Sequence, residues 1–202
     1  MNFYFGGPIE SEFENNAFDK DLIALASRSI KGFDLGQGSG LTPEAKHFMG
    51  ANWACAADVL KRLGGFDESF GLNPASGRIM TGEESELIRE LNENGWKGYY
   101  VAEARLKHFV PASKCELPHI AGRWAAAGEK QAREIIMTQD FQSCPRVPFW
   151  VCKMLAISWL QWVLKKMCFQ KGYVEYKFLR KNVRLVHVLI KKLINGSIRE
   201  EV

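Results

Sequence analysis

Two adjacent carboxylates, Glu83 and Glu84, follow Thr81-Gly82 and open a run, residues 83–94, in which Leu87, Ile88 and Leu91 recur at helical spacing. Paired acids behind a glycine at the mouth of a helix suit general-base chemistry, the removal of a proton from a reacting hydroxyl. A local account competes with that one. Thr81-x-x-Glu84 is a capping box, in which Glu84 satisfies backbone N–H groups at the helix start. The local sequence by itself favours the cap.

Three further polar residues stand among apolar neighbours. His108 shares one face of an extended segment, residues 97–110, with Ala104, Leu106 and Val110. A satisfied core histidine is the plain reading, because a metal site needs several convergent ligands. Asn52 interrupts the apolar stretch 48–55, and a buried amide must find hydrogen-bond partners. Arg123 lies in a helical stretch, residues 119–137, either as a solvated position or as a guanidinium for phosphate oxygens. The one Asp-x-Asp, Asp19-Lys20-Asp21, follows Glu14-Asn15-Asn16 and opens a helix, where first-turn acids serve the cap and the dipole rather than a metal. The five cysteines form no CxxC pair, which excludes a zinc knuckle or a dithiol redox motif and leaves free thiols in a reducing compartment.

The elements that must position these residues are legible in outline. Residues 3–9 read as a short buried strand ending at Gly6-Gly7-Pro8, and 18–30 as one helix. The glycine-rich run 36–40 is either a plain linker or a loop gating a site; it lacks the GxGxxG spacing of a phosphate cradle. A helix over 57–63 is stopped by Gly64-Gly65, and the helix over 83–94 by Gly95. Pro145 and Pro148 mark a boundary, beyond which residues 149–169 and 174–194 form two amphipathic helical stretches. No basic, apolar leader opens the chain.

Charge divides the chain in the same place. The 202 residues carry a net +4, but residues 1–149 hold 16 Lys/Arg against 20 Asp/Glu, and residues 150–202 hold 11 against 3. A basic tail with Trp150, Trp159 and Trp162 fits a helix lying in a membrane interface; a helix pair packed on the domain with a solvated basic face is the bland alternative. The eleven apolar and neutral residues between Lys153 and Lys165 are too few to span a bilayer. No nucleic-acid-binding motif is present.

Four segments occur in a telling order: Gly50-Ala51-Asn52, Gly64-Gly65-Phe66-Asp67-Glu68, Gly82-Glu83-Glu84-Ser85-Glu86-Leu87, and Gly95-Trp96-Lys97 leading through Tyr100, Val101 and Ala104 to His108. Together they resemble the C-terminal half of inverting family 2 glycosyltransferases with the GT-A fold, and the related beta-1,4-galactosyltransferases, over residues 5–137. The resemblance implies an α/β fold: residues 1–146 as the acceptor-side, catalytic half of a nucleotide-diphospho-sugar transferase, and 147–202 as a basic amphipathic helical tail. It implies transfer of a sugar from a nucleotide-sugar donor to a glycan or lipid-linked saccharide acceptor. Glu84 would be the base, with Glu83, Asn52 and Gly82 at the acceptor and donor sugar, and Arg123 at the diphosphate. His108 would lie near a divalent Mn2+ or Mg2+. Many family members have Asp where Glu84 stands. The family's N-terminal half, with its Asp-x-Asp metal motif, is expected before Phe3 and is not among these residues, which leaves a catalytically incomplete, membrane-attached binding module or a degenerate copy as the alternative. The expected location is cytoplasmic, peripheral on the inner membrane face, with no nucleic-acid partner.

Overall fold

The computed structural model describes residues 2–14, 18–36, 38–43, 48–66, 71–73, 78–80 and 83–197. The chain falls into two compact units, Met1–Cys115 and Glu116–Val202. Packing thus divides the chain about thirty residues before the step in charge does.

The first unit is built on a parallel pairing with a break in it. Strands β1 (Phe3–Gly6) and β2 (Ile9–Phe13) run beside β7 (Lys97–Tyr100) and β8 (Leu106–Val110), with Phe3 opposite Lys97 and Ile9 opposite Leu106. The sequence predicts one strand over residues 3–9; the chain instead makes two. Pro8 has no N–H for a ladder, and a Cβ on Gly7 would strike the Ala104 carbonyl oxygen, so only glycine lets the chains approach here. Strands β3 (Gly40–Leu41) and β4 (Trp53–Ala54) complete a mixed four-stranded sheet, in the order β3-β7-β1-β4. Strands β5 (Gly71–Asn73) and β6 (Arg78–Met80) form a separate antiparallel pair.

The helix expected over residues 18–30 is also two: α1 (Lys20–Ala24) and α2 (Arg28–Lys31), with Ser27 in extended conformation between them. Asp19 caps α1, its Oδ1 accepting from the N–H groups of Asp21 at 3.0 Å and Leu22 at 3.3 Å. That is the capping role expected of the Asp-x-Asp. Helix α3 (Ala57–Arg62) ends as its glycines require: Gly64 has φ +87°, and Gly65 N–H donates back to the Leu60 carbonyl at 2.9 Å. Helix α4 (Glu83–Glu93) ends in the same motif, with Gly95 at φ +81° and Trp96 N–H donating to the Leu91 carbonyl at 3.0 Å.

Tyr4, Ile9, Phe33, Phe48, Val59, Ile88, Leu91 and Tyr100 form the core of this unit. The Phe48 ring lies where a Cβ on Gly6 would be and meets Tyr4 and Phe33 edge-on. Both buried tyrosines satisfy their hydroxyls: Tyr4 donates to Asn92 Oδ1 at 3.0 Å, and Tyr100 to Asp34 Oδ1 at 2.6 Å. The glycine-rich run is tied down at Ser39, whose Oγ donates to Glu103 and accepts from Ala102 N–H.

The second unit is helical: α5 (Leu117–Ile136), α6 (Gln139–Ser143), α7 (Phe149–Met167) and α8 (Tyr173–Ser197). Its core gathers Ala132, Phe141, Val151, Leu185 and Leu189. Helices α5 and α8 approach closely at Gly128, where a Cβ would meet the Lys181 carbonyl oxygen. Among the described residues no helix is long and apolar enough to cross a membrane.

Candidate active site

The apolar stripe of α4 sets the direction of Glu84. Leu87, Ile88 and Leu91 are at most 2% exposed. Glu84 stands three and four residues before the first two of them, hence on the same side of the helix. Its carboxylate comes to rest against Gly50, in the space that a Cβ there would fill. Gly50 belongs to a tight turn, in which Asn52 N–H donates to the Met49 carbonyl at 3.0 Å. A carboxylate laid against bare backbone is half-buried yet borders the open turn.

Asn52 closes the same turn onto the break in the parallel pairing. Its Nδ2 donates to the Pro8 carbonyl at 3.0 Å and to the Ala104 carbonyl at 2.7 Å. Gly7 N–H returns a bond to the Asn52 carbonyl at 3.3 Å. Both amide hydrogens are therefore spent on the scaffold, and two carbonyl acceptors fix which end of the amide faces them. The side chain's remaining capacity is its Oδ1, an acceptor. Glu84 and Asn52, 32 positions apart in sequence, thus converge on one four-residue turn beside the end of β1.

The other expected residues are distributed differently. Glu83 opens α4, and its side chain lies outside the described residues, as do Thr81, Gly82, Asp67 and Glu68. The capping box and the end of the Gly64–Glu68 turn fall there too. His108 lies on β8 opposite Ser11, four residues beyond the Ala104 carbonyl that Asn52 holds. Along β8 exposure alternates as the sequence predicts, with Lys107 and Phe109 outward and Leu106, His108 and Val110 inward. Its Nδ1 is enclosed and has no hydrogen-bond partner among the described residues. Arg123 belongs to the second unit, half-buried on α5.

A divalent ion needs several donors around one point. Among the described residues no three His, Cys, Asp or Glu side chains form such a group. His108 Nδ1 alone does not make a metal site, so these residues do not by themselves fit the ion that the family resemblance implies.

A shallow cleft of about 150 Å³ lies beside α4, lined by Leu63, Gly64, Gly65, Phe66, Glu86 and Glu90 together with Leu87. Phe66 is 48% exposed. An exposed ring offers a stacking face, and Glu86 beside it is paired with Arg89. In the sequence Phe66 is one residue of a glycine turn, and Glu90 is one of several acids on α4. The four-residue spacing of Glu86 and Glu90, which sets them on one side of α4, is the signal that the sequence offers.

The Tyr100 hydroxyl and then the Gly36 N–H hold the Asp34 carboxyl below the usual carboxylate range, and burial with the Asp34 bond pushes the Tyr100 hydroxyl up. This pair ties the loop after α2 to the sheet.

No family model, curated protein or solved structure matches the chain. What the architecture defines is the class: a mixed α/β protein with a mixed sheet.

Proposed function

We propose that this chain is the acceptor-side part of an inverting sugar transferase of the GT-A kind, with Glu84 as the general base. The observation that carries the reading is the meeting of Glu84 and Asn52 on the turn at Gly50. In the proposed reaction an acceptor hydroxyl sits between the Glu84 carboxylate and the Asn52 Oδ1. Glu84 takes its proton as the oxygen attacks the anomeric carbon of the donor, and the nucleoside diphosphate departs from the opposite face. The substrates are a nucleotide sugar and a glycan or lipid-linked saccharide.

The test is transfer from nucleotide-sugar donors by the gene product that contains this chain, with and without Glu84→Gln. The substitution keeps the shape and removes the base, so turnover falls by roughly 100-fold or more while circular dichroism stays the same. Unchanged turnover sinks the assignment. Calorimetric titration of this chain alone with UDP and Mn2+ tests the alternative of a catalytically incomplete binding module: micromolar binding argues against it.

A further inference from the structure

Helix α7 is apolar on the side it turns away from the bundle. Val151 and Ser158 are its buried positions, with Leu155 and Trp162 half-buried at the same spacing. The inward side is fixed by Asn182 of α8, whose Nδ2 donates to the Met154 carbonyl and to Ser158 Oγ, each at 3.3 Å. At 100° per residue, the opposite side carries Phe149, Ile157, Leu160, Leu164 and Met167. These are 83%, 45%, 52%, 52% and 69% exposed. A bundle helix ordinarily turns polar residues that way.

The turn from α7 to α8 extends this surface. Phe169 has φ +56°, a left-handed conformation unfavourable for a residue with a Cβ, and its ring is 99% exposed. It stands between Lys165 and Lys166 on one side and Lys171 on the other.

We infer that the outward face of α7 and the Phe169 turn dock on an anionic lipid bilayer, with the helix lying in the plane of the interface. Charge selects this occupant. Helix α7 and the turn after it, residues 149–172, hold Lys153, Lys165, Lys166 and Lys171 and no Asp or Glu. A second copy would bring the same basic surface against itself, whereas acidic headgroups attract it. Lys153, on the apolar side, reaches out of the hydrocarbon along its own methylenes, and Trp150, 45% exposed, sits at headgroup depth. The inference does not depend on Glu84 being a base.

Vesicle flotation tests it, using phosphatidylcholine alone and phosphatidylcholine mixed with phosphatidylglycerol. The full chain is expected to float with the anionic vesicles, to do so less as salt rises, and to lose tryptophan emission when the lipid chains are brominated. Phe169→Ser, and the pair Leu160→Glu with Leu164→Glu, each weaken partitioning by about tenfold or more. Circular dichroism is unchanged, because these side chains leave the bundle core intact. Glu84→Gln floats like the parent chain. Absence of flotation and of quenching in the parent chain overturns the inference even if a variant misfolds. Equal flotation of all variants overturns it as well. So does a dimer in sedimentation equilibrium that the Leu160/Leu164 change dissolves without any vesicle binding, since a second copy then covers the face.

Discussion

Gly50 is where a backbone position and a catalytic proposal meet. The Glu84 carboxylate fills the place of its Cβ, so Gly50→Ala forces the end of a flexible side chain to move rather than the backbone. Stability is expected to change by less than about 1 kcal/mol, while transfer falls by roughly tenfold or more because the base is displaced. Thermal melts and turnover measured on one preparation check both halves. Asn52 gives the complementary case. Asn52→Asp sets a carboxylate against the Pro8 and Ala104 carbonyls in place of two donors, and a destabilisation of about 2–4 kcal/mol is expected by urea titration. An unaltered midpoint would show that the amide does not hold the strand break.

The elements were predictable wherever one local cause decided them. Gly64-Gly65 and Gly95 end their helices because a left-handed C′ residue strongly favours glycine, and Leu87, Ile88 and Leu91 face inward because helical spacing leaves them no other side. The expected single elements over residues 3–9 and 18–30 each became two, since what interrupts them is a distant partner or an untested alternative cap. Gly7-Pro8 meets the Ala104 carbonyl from a hundred residues away, and Ser27 restarts a helix without a side-chain cap bond. Between α5 and α8 the decisive contact is Glu129. Burial works to raise its carboxyl, but hydrogen bonds from Arg184 and Arg133 outweigh that and hold it below the ordinary range. A carboxylate lowered on folding contributes stability above its unfolded pKa of about 4.3 and loses it as pH falls through the lower folded value. Melting followed by helical circular dichroism is therefore expected to show a steeper acid decline in the parent chain than in Glu129→Gln. Parallel pH profiles would remove the ion pair from the account.

The molecule has two cores of its own, one around Ile88, Leu91 and Tyr100, the other around Leu185 and Leu189. Ile88→Ala and Leu185→Ala each remove a fully buried side chain, at a cost of about 2–5 kcal/mol. Hydrogen exchange is expected to lose protection chiefly within Met1–Cys115 in the first variant and within Glu116–Val202 in the second. Equal losses throughout in both would show one cooperative unit. The sequence by itself determined the glycine stops, the inward stripe of α4, the Asp19 cap and the basic helical tail, because each follows from the identity and spacing of near neighbours. Only the tertiary structure decided that packing divides the chain at Cys115 rather than at the change in charge. It alone laid Glu84 against Gly50, committed both Asn52 amide hydrogens to Pro8 and Ala104, and left the outer side of α7 uncovered. Those outcomes depend on which distant backbone comes within contact distance, and no periodicity in a linear chain encodes that.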